Sequence, residues 1–285
     1  MAELVEIIGI THNPFLPRLL AGGAAFPDGD AVRADYALMR ERLAAASPDV
    51  IVTIASDHLN QWFTDNMPAF LVGKAPRAEG PFPQEIKRFG LEPYYAKVDT
   101  ALAKWFVAEG FNEGVDFAFS DEFLLDHAFT VPLHFLRPEM DLPIVPVWTN
   151  VMAPPLPPAR RFFEVGRALA RLIERAPTSQ RVAVVSSGHF AVEVGGPRSN
   201  RGGSPDEAFD RRMMDLISAG DAESLISETS FERLIEAGNV TPGFLNYVML
   251  VGLANASAPR ATMLRIPERS GAVYYMEWTL GTAVA

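Results

Sequence analysis

The sequence predicts an α/β fold: one domain spanning residues 1–285, with a central, mostly parallel or mixed sheet flanked by helices and a crevice at the carboxyl ends of the strands. Two observations carry this. Short apolar, β-branched runs alternate with longer amphipathic ones, the pattern of helices layered on a sheet. A 48% hydrophobic content and mean hydropathy of +0.08 provide enough apolar side chain for one large core.

In chain order, strands are expected at Val5 to Ile10, Val50 to Ala55, Ala69 to Val72, Phe117 to Phe119, Ile144 to Trp148, Val182 to Ser186, Met263 to Ile266 and Val273 to Trp278. Apolar residues at three- and four-residue spacing predict helices at Ala31 to Ala46, Tyr95 to Glu109, Ala159 to Arg175, Pro205 to Ser218 and Gly243 to Ala254. The Pro-rich stretch from Ala153 to Pro158 suits a loop within the domain, and Gly195 to Gly203 a surface loop near the site.

Composition excludes several chemistries. With no cysteine there is no disulfide, thiolate metal site or cysteine nucleophile, so a metal must be held by His, Asp, Glu or backbone oxygen. A net charge of -10 argues against nucleic acid and anionic membranes as partners. No run approaches the roughly 18 apolar residues of a membrane span, and the N-terminus lacks a basic leader; a cytoplasmic protein is expected.

The five histidines are the informative residues. His12, His58 and His189 each follow closely on a predicted strand, where open α/β sheets bind ligands. Each lies in turn-forming sequence: Thr11-His12-Asn13-Pro14, Ser56-Asp57-His58 and Ser187-Gly188-His189. Pro132 suits the first turn of a helix, which places His127 in the loop entering it. His134 is expected to be structural. Neutral imidazole binds divalent metals and also exchanges protons near pH 7, so the four could divide into ligands and acid/base groups. Asp57 and Asp126 either orient their neighbours or cap turns.

Together these motifs, with Val131-Pro132-Leu133 and Ser204-Pro205-Asp206-Glu207, resemble the class III extradiol ring-cleavage dioxygenases, the superfamily of the protocatechuate 4,5-dioxygenase catalytic subunit. The resemblance implies non-haem Fe(II) held by His12 and His58, with two catalytic histidines, His189 as the acid/base and His127 as the second histidine beside O2 and a catechol-like or hydroxylated aromatic acid. It also implies a homo-oligomer or association with a small partner subunit. The family's third ligand is a glutamate, and its position in Ala237 to Tyr247 falls on Gly243. Glu236, Asp57 or an outside anion could complete the site. Otherwise the chain would be a non-oxygenase of the same fold, either a metal-poor enzyme using His127 and His189 or a non-catalytic partner subunit.

Asp57, Phe190 and Tyr247 are the candidate substrate-binding residues, with Phe15, Trp62, Phe63 and Phe129 as further flat apolar surface and Arg198 and Arg201 as possible partners of a substrate carboxylate.

Overall fold

The structure, a computed structural model, describes residues 1–22, 26, 28–199, 203–267 and 271–280. Its strands are β1 (Glu3–Thr11), β2 (Val50–Ser56), β3 (Phe70–Gly73), β4 (Arg77–Gly80), β5 (Tyr94–Lys97), β6 (Ala118–Ser120), β7 (Ile144–Thr149), β8 (Arg181–Gly188), β9 (Ala261–Arg265) and β10 (Val273–Thr279). Helices α1 (Leu16–Ala21), α2 (Gly29–Ala45), α3 (Pro83–Phe89), α4 (Thr100–Gly110), α5 (His127–Leu136), α6 (Ala159–Arg175), α7 (Glu207–Ala219), α8 (Ala222–Glu228), α9 (Phe231–Ala237) and α10 (Leu245–Leu253) complete it. None is long and apolar enough to cross a membrane among the described residues.

Eight strands form one mixed sheet in the order β6-β3-β7-β2-β8-β1-β10-β9. The centre, β7-β2-β8-β1, is parallel, and β3 and β10 join it antiparallel. Helices cover the parallel strands, so β2 and β7 are buried at every residue, which is why they read as continuous apolar runs. Helices α6 and α10 pack on each other and on β1 and β8, while α5 packs on β2 and β8 and is backed by α2. The backbones of α6 and α10 touch: a Cβ on Gly166 would lie 2.0 Å from the Met249 carbonyl oxygen.

Every expected strand of the large sheet is present. The helix expected from Tyr95 begins at Thr100 instead. Tyr94–Lys97 pairs antiparallel with Arg77–Gly80, and Asp99 caps α4 by accepting from the Leu102 amide at 3.0 Å. The helix expected from Gly243 begins at Leu245, after a 3₁₀ turn over Thr241–Phe244. Pro132 lies inside α5 rather than in its first turn, and His127 is the first residue of that helix rather than part of the loop before it.

Candidate active site

Strands β1, β8 and β2 are neighbours and run parallel, so their carboxyl ends deliver His12, His189 and His58 to one place. The start of α5 brings His127. Ring centroids of His12 lie 4.2 Å from His189, 5.2 Å from His58 and 5.6 Å from His127, and His58 stacks on His127 at 4.3 Å.

Hydrogen bonds determine which nitrogen of each ring carries a proton. Asp126 caps α5 by accepting from the Ala128 amide and also faces His58 Nδ1 at 2.8 Å. As a buried carboxylate it accepts the Nδ1 proton, leaving His58 Nε2 with its lone pair. Glu85 binds His127 in the same way, accepting from its backbone amide at 3.2 Å and from Nδ1 at 2.5 Å.

His12 is fixed less directly. Pro132 has no N–H, so the Ala128 carbonyl, four residues earlier, lacks its helical partner. Ser187 Oγ donates to that carbonyl at 2.7 Å, which uses its only proton. It can then only accept from His12 Nδ1, 2.9 Å away, so His12 Nε2 is also bare. That atom lies 3.0 Å from His189 Nε2.

Burial, followed by repulsion from neighbouring histidines, lowers the pKa of His12 well below its ordinary 6.5 and pushes His189 down to about 3. Both rings are therefore neutral donors near pH 7. Burial also opposes the charge on His58, but Asp126 outweighs it and the pKa is raised. Asp126 is itself lowered: burial favours its neutral form, and the charges of His127 and His58 outweigh that.

The nitrogens of His12, His58 and His189 lie within 4.8 Å of one another, so these three could hold a metal; so could His58, Asp126 and His127. The oxygens of Asp126 are already occupied by His58, Ala128 and Asn60, which leaves the three-histidine set as the available one. Its imidazole donors fit a borderline divalent ion.

A cavity of about 810 Å³ opens over the rings of His58, His127 and His189, with Phe15, Phe89, Met152 and Tyr274 among its walls and His12 fully buried behind. Beside His127 and His189, only Phe15 of the described residues expected to touch substrate lines it. Phe190 is fully buried in an aromatic cluster with Phe244, Tyr247 and Tyr274. Tyr247 is also in the core, its hydroxyl 2.9 Å from the Ile10 carbonyl and 2.8 Å from the Tyr274 hydroxyl. Tyr274 in turn donates to the Gly188 carbonyl. Both tyrosines hold the ends of β1 and β8 in place; Tyr247 stays in the core, whereas Tyr274 also reaches the cavity wall.

Asp57 does not line the cavity either. Its Oδ2 accepts from the amides of Asn60, Gln61 and Trp62 and shapes the loop that carries His58. Burial first, then the neighbouring charge of Asp126, raises its pKa to about 6. Trp62 and Phe129 pack on Trp148, and Phe63 is exposed away from the cavity. His134 binds the Glu92 carbonyl, a structural role.

Glu236 is exposed on α9 and is not among the grouped ligands. Arg198 is tied to Glu193 and to the Glu236 carbonyl, and Arg201 lies outside the described residues. The sequence reading missed Glu85, Phe89 and Arg88. Pro83 and Glu85 in the first turn of α3 are the signal that could have shown the helix start, since Glu85 also accepts from the Phe82 amide.

The chain is similar to proteins named 2,3-dihydroxyphenylpropionate/2,3-dihydroxicinnamic acid 1,2-dioxygenase. The one from Klebsiella pneumoniae subsp. pneumoniae is 30% identical, covering 81% of this chain and 78% of the relative. The one from a Rhodococcus species is 30% identical over 82% and 69%. That from Photorhabdus laumondii is 33% identical over 65% of this chain, but the match spans only 55% of the relative's length. A crystal structure of an uncharacterized Escherichia coli K12 protein shares the fold, with a TM-score of 0.62 and 15% identity over 96% of this chain and 99% of the other. Residues 6–274 match the family described as the catalytic LigB subunit of aromatic ring-opening dioxygenase, and the chain belongs to that family.

Proposed function

We propose that the protein is an Fe(II)-dependent extradiol dioxygenase that opens the ring of a catechol bearing a carboxylate side chain. The observation that carries this is the convergence of His12, His58, His127 and His189, the last three lining one cavity and His12 buried behind them, with the first three oriented by Ser187, Asp126 and Glu85 so that Nε2 is bare. His12 and His58 would hold the iron, which when bound supplies the redox chemistry that joins a catechol to O2.

His127 is the proton acceptor for a catechol hydroxyl. Its Nε2 has a free lone pair, and the Glu85 carboxylate against Nδ1 stabilises the imidazolium formed when Nε2 takes the proton. The apolar walls from Phe15, Phe89 and Met152 suit a flat ring and keep bulk water from it.

Arg88 at the cavity rim supports the acidic side chain. It stacks on the Phe89 ring at 5.2 Å and makes no ion pair among the described residues, so its guanidinium is available to a substrate carboxylate. The relatives' named substrates, a dihydroxyphenylpropionate and a dihydroxycinnamate, both carry such a group. Family resemblance supports assembly as a homo-oligomer or with a small partner subunit, and the acidic, cysteine-free composition supports a cytoplasmic location.

The test is oxygen uptake by protein loaded anaerobically with Fe(II), over a panel of catechols with and without carboxylate chains. Uptake matched by a coloured ring-opened product is expected. Iron-loaded protein inert to the whole panel would reject the proposal.

A further inference from the structure

We infer that His189 is the third protein ligand of the metal, so that the site is built from three imidazoles and contains no carboxylate. This rests on the metal-dependent reading above. The first observation is the state of the acids. Glu85 is occupied by His127 and Asp126 by His58; Asp57 gives Oδ2 to three backbone amides, and its Oδ1, buried without a hydrogen-bond partner, is not part of the three-histidine ligand set. Glu193, the other acid lining the cavity, is paired with Arg198.

The second observation is the space at Gly243. A Cβ built there would lie 2.9 Å from His189 Cδ2 and 3.4 Å from His189 Cβ. The His189 ring therefore occupies the room that a side chain at 243 would need, and it brings Nε2 within 3.0 Å of His12 Nε2. Two ring nitrogens at that separation either share one proton or would both serve as ligands of one ion. His58 contributes the third nitrogen of the group. Gly243 and the position of His189 are thus one feature: the small residue lets the imidazole lean into the ligand set. Proton transfer is then left to His127, whose Glu85 partner is suited to it.

The experiment is anaerobic titration with Co(II), followed by its visible spectrum, on the full chain and on His189→Ala, His12→Ala and His127→Ala, with thermal unfolding of each metal-free variant as a check on folding. His189→Ala should weaken Co(II) binding as much as His12→Ala does, by more than about 100-fold, because losing a mere orienting partner already costs about 10- to 100-fold. His127→Ala should change it by less than about 10-fold. Co(II) binding by His189→Ala equal to wild type would overturn the inference. Should His189→Ala not fold, pulsed EPR of the Cu(II)-loaded wild type counts the imidazoles directly: three support the site, two reject it.

These outcomes separate from those of the dioxygenase reading. Wild type that binds Co(II) through His189 yet opens no catechol keeps the site and rejects the reading. Wild type that opens catechols while His189→Ala retains Co(II) does the reverse.

Discussion

Ser187 fixes the tautomer of His12. Its hydroxyl proton goes to the Ala128 carbonyl, which Pro132 leaves without a helical partner, so its oxygen must accept from His12 Nδ1. Ser187→Ala removes both bonds. Metal affinity should fall about 10- to 100-fold. Stability should fall by about 1–3 kcal/mol from the buried carbonyl left unpaired. Metal titration and chemical denaturation measure the two losses separately.

The His58–Asp126 pair sets opposite pH dependences for stability and metal binding. Asp126 raises the pKa of His58 above 6.5 in the folded protein. Protonated His58 therefore stabilises the metal-free fold fully below pH 6.5, and that contribution is lost as pH rises through the folded value. Metal competes with the same proton, so affinity should climb over the interval where this stabilisation disappears. Asp126→Asn should flatten the melting profile in that interval and move the rise in metal affinity to lower pH. Melting scans and metal titrations over a pH series check both.

A second buried acid gives a test away from the site. Glu6 on β1 is buried, next to Glu277 on β10, and its pKa is raised from 4.5 to about 7, by burial first and then by the Glu277 charge. A group that binds its proton more tightly in the fold loses stability as pH rises from 4.5 through 7. Glu6→Gln should raise the melting temperature at pH 8 and leave it nearly unchanged at pH 5.

Arg88→Leu should discriminate between substrates. KM for a catechol with a propionate chain should rise by about 10- to 100-fold, the range of one charge-assisted pair, while catechol without a carboxylate is little affected. Equal effects on both would remove Arg88 from substrate binding.

Gly243→Glu tests the shared space at the third ligand. In the wild-type background the new side chain meets the His189 ring, 2.9 Å from its Cβ, and should disturb the metal site. Combined with His189→Ala, the ring is gone and the carboxylate can occupy its place, so the double variant should bind Co(II) more tightly than His189→Ala alone. Titration of the three variants decides it.

The large sheet was legible because its strands are buried on both faces and so form uninterrupted apolar runs. The β4–β5 pair was not, since Arg77-Ala78-Glu79-Gly80 carries no such run and only pairing with Tyr94–Lys97 makes it a strand. The proximity of His12, His58 and His189 was legible from their positions after strands, which topology brings together, whereas His127 reaches them from the start of α5. The aromatic lining was not legible: Phe190 and Phe89 look alike in sequence, and the direction of a loop decides that Phe190 packs in the core and Phe89 faces the cavity. Asp57 and Arg198 lie off the cavity lining for a related reason, because local amides hold Asp57 through Oδ2 and Glu193 pairs with Arg198.

Ring opening is tested most directly by the product formed from labelled dioxygen. Protein loaded with Fe(II) and given 2,3-dihydroxyphenylpropionate under ¹⁸O2 should yield a ring-opened product in which both labelled atoms appear, cleaved beside the diol. Recovery of intact catechol, or of a product carrying no label, would contradict a dioxygenase built on His12, His58 and His127.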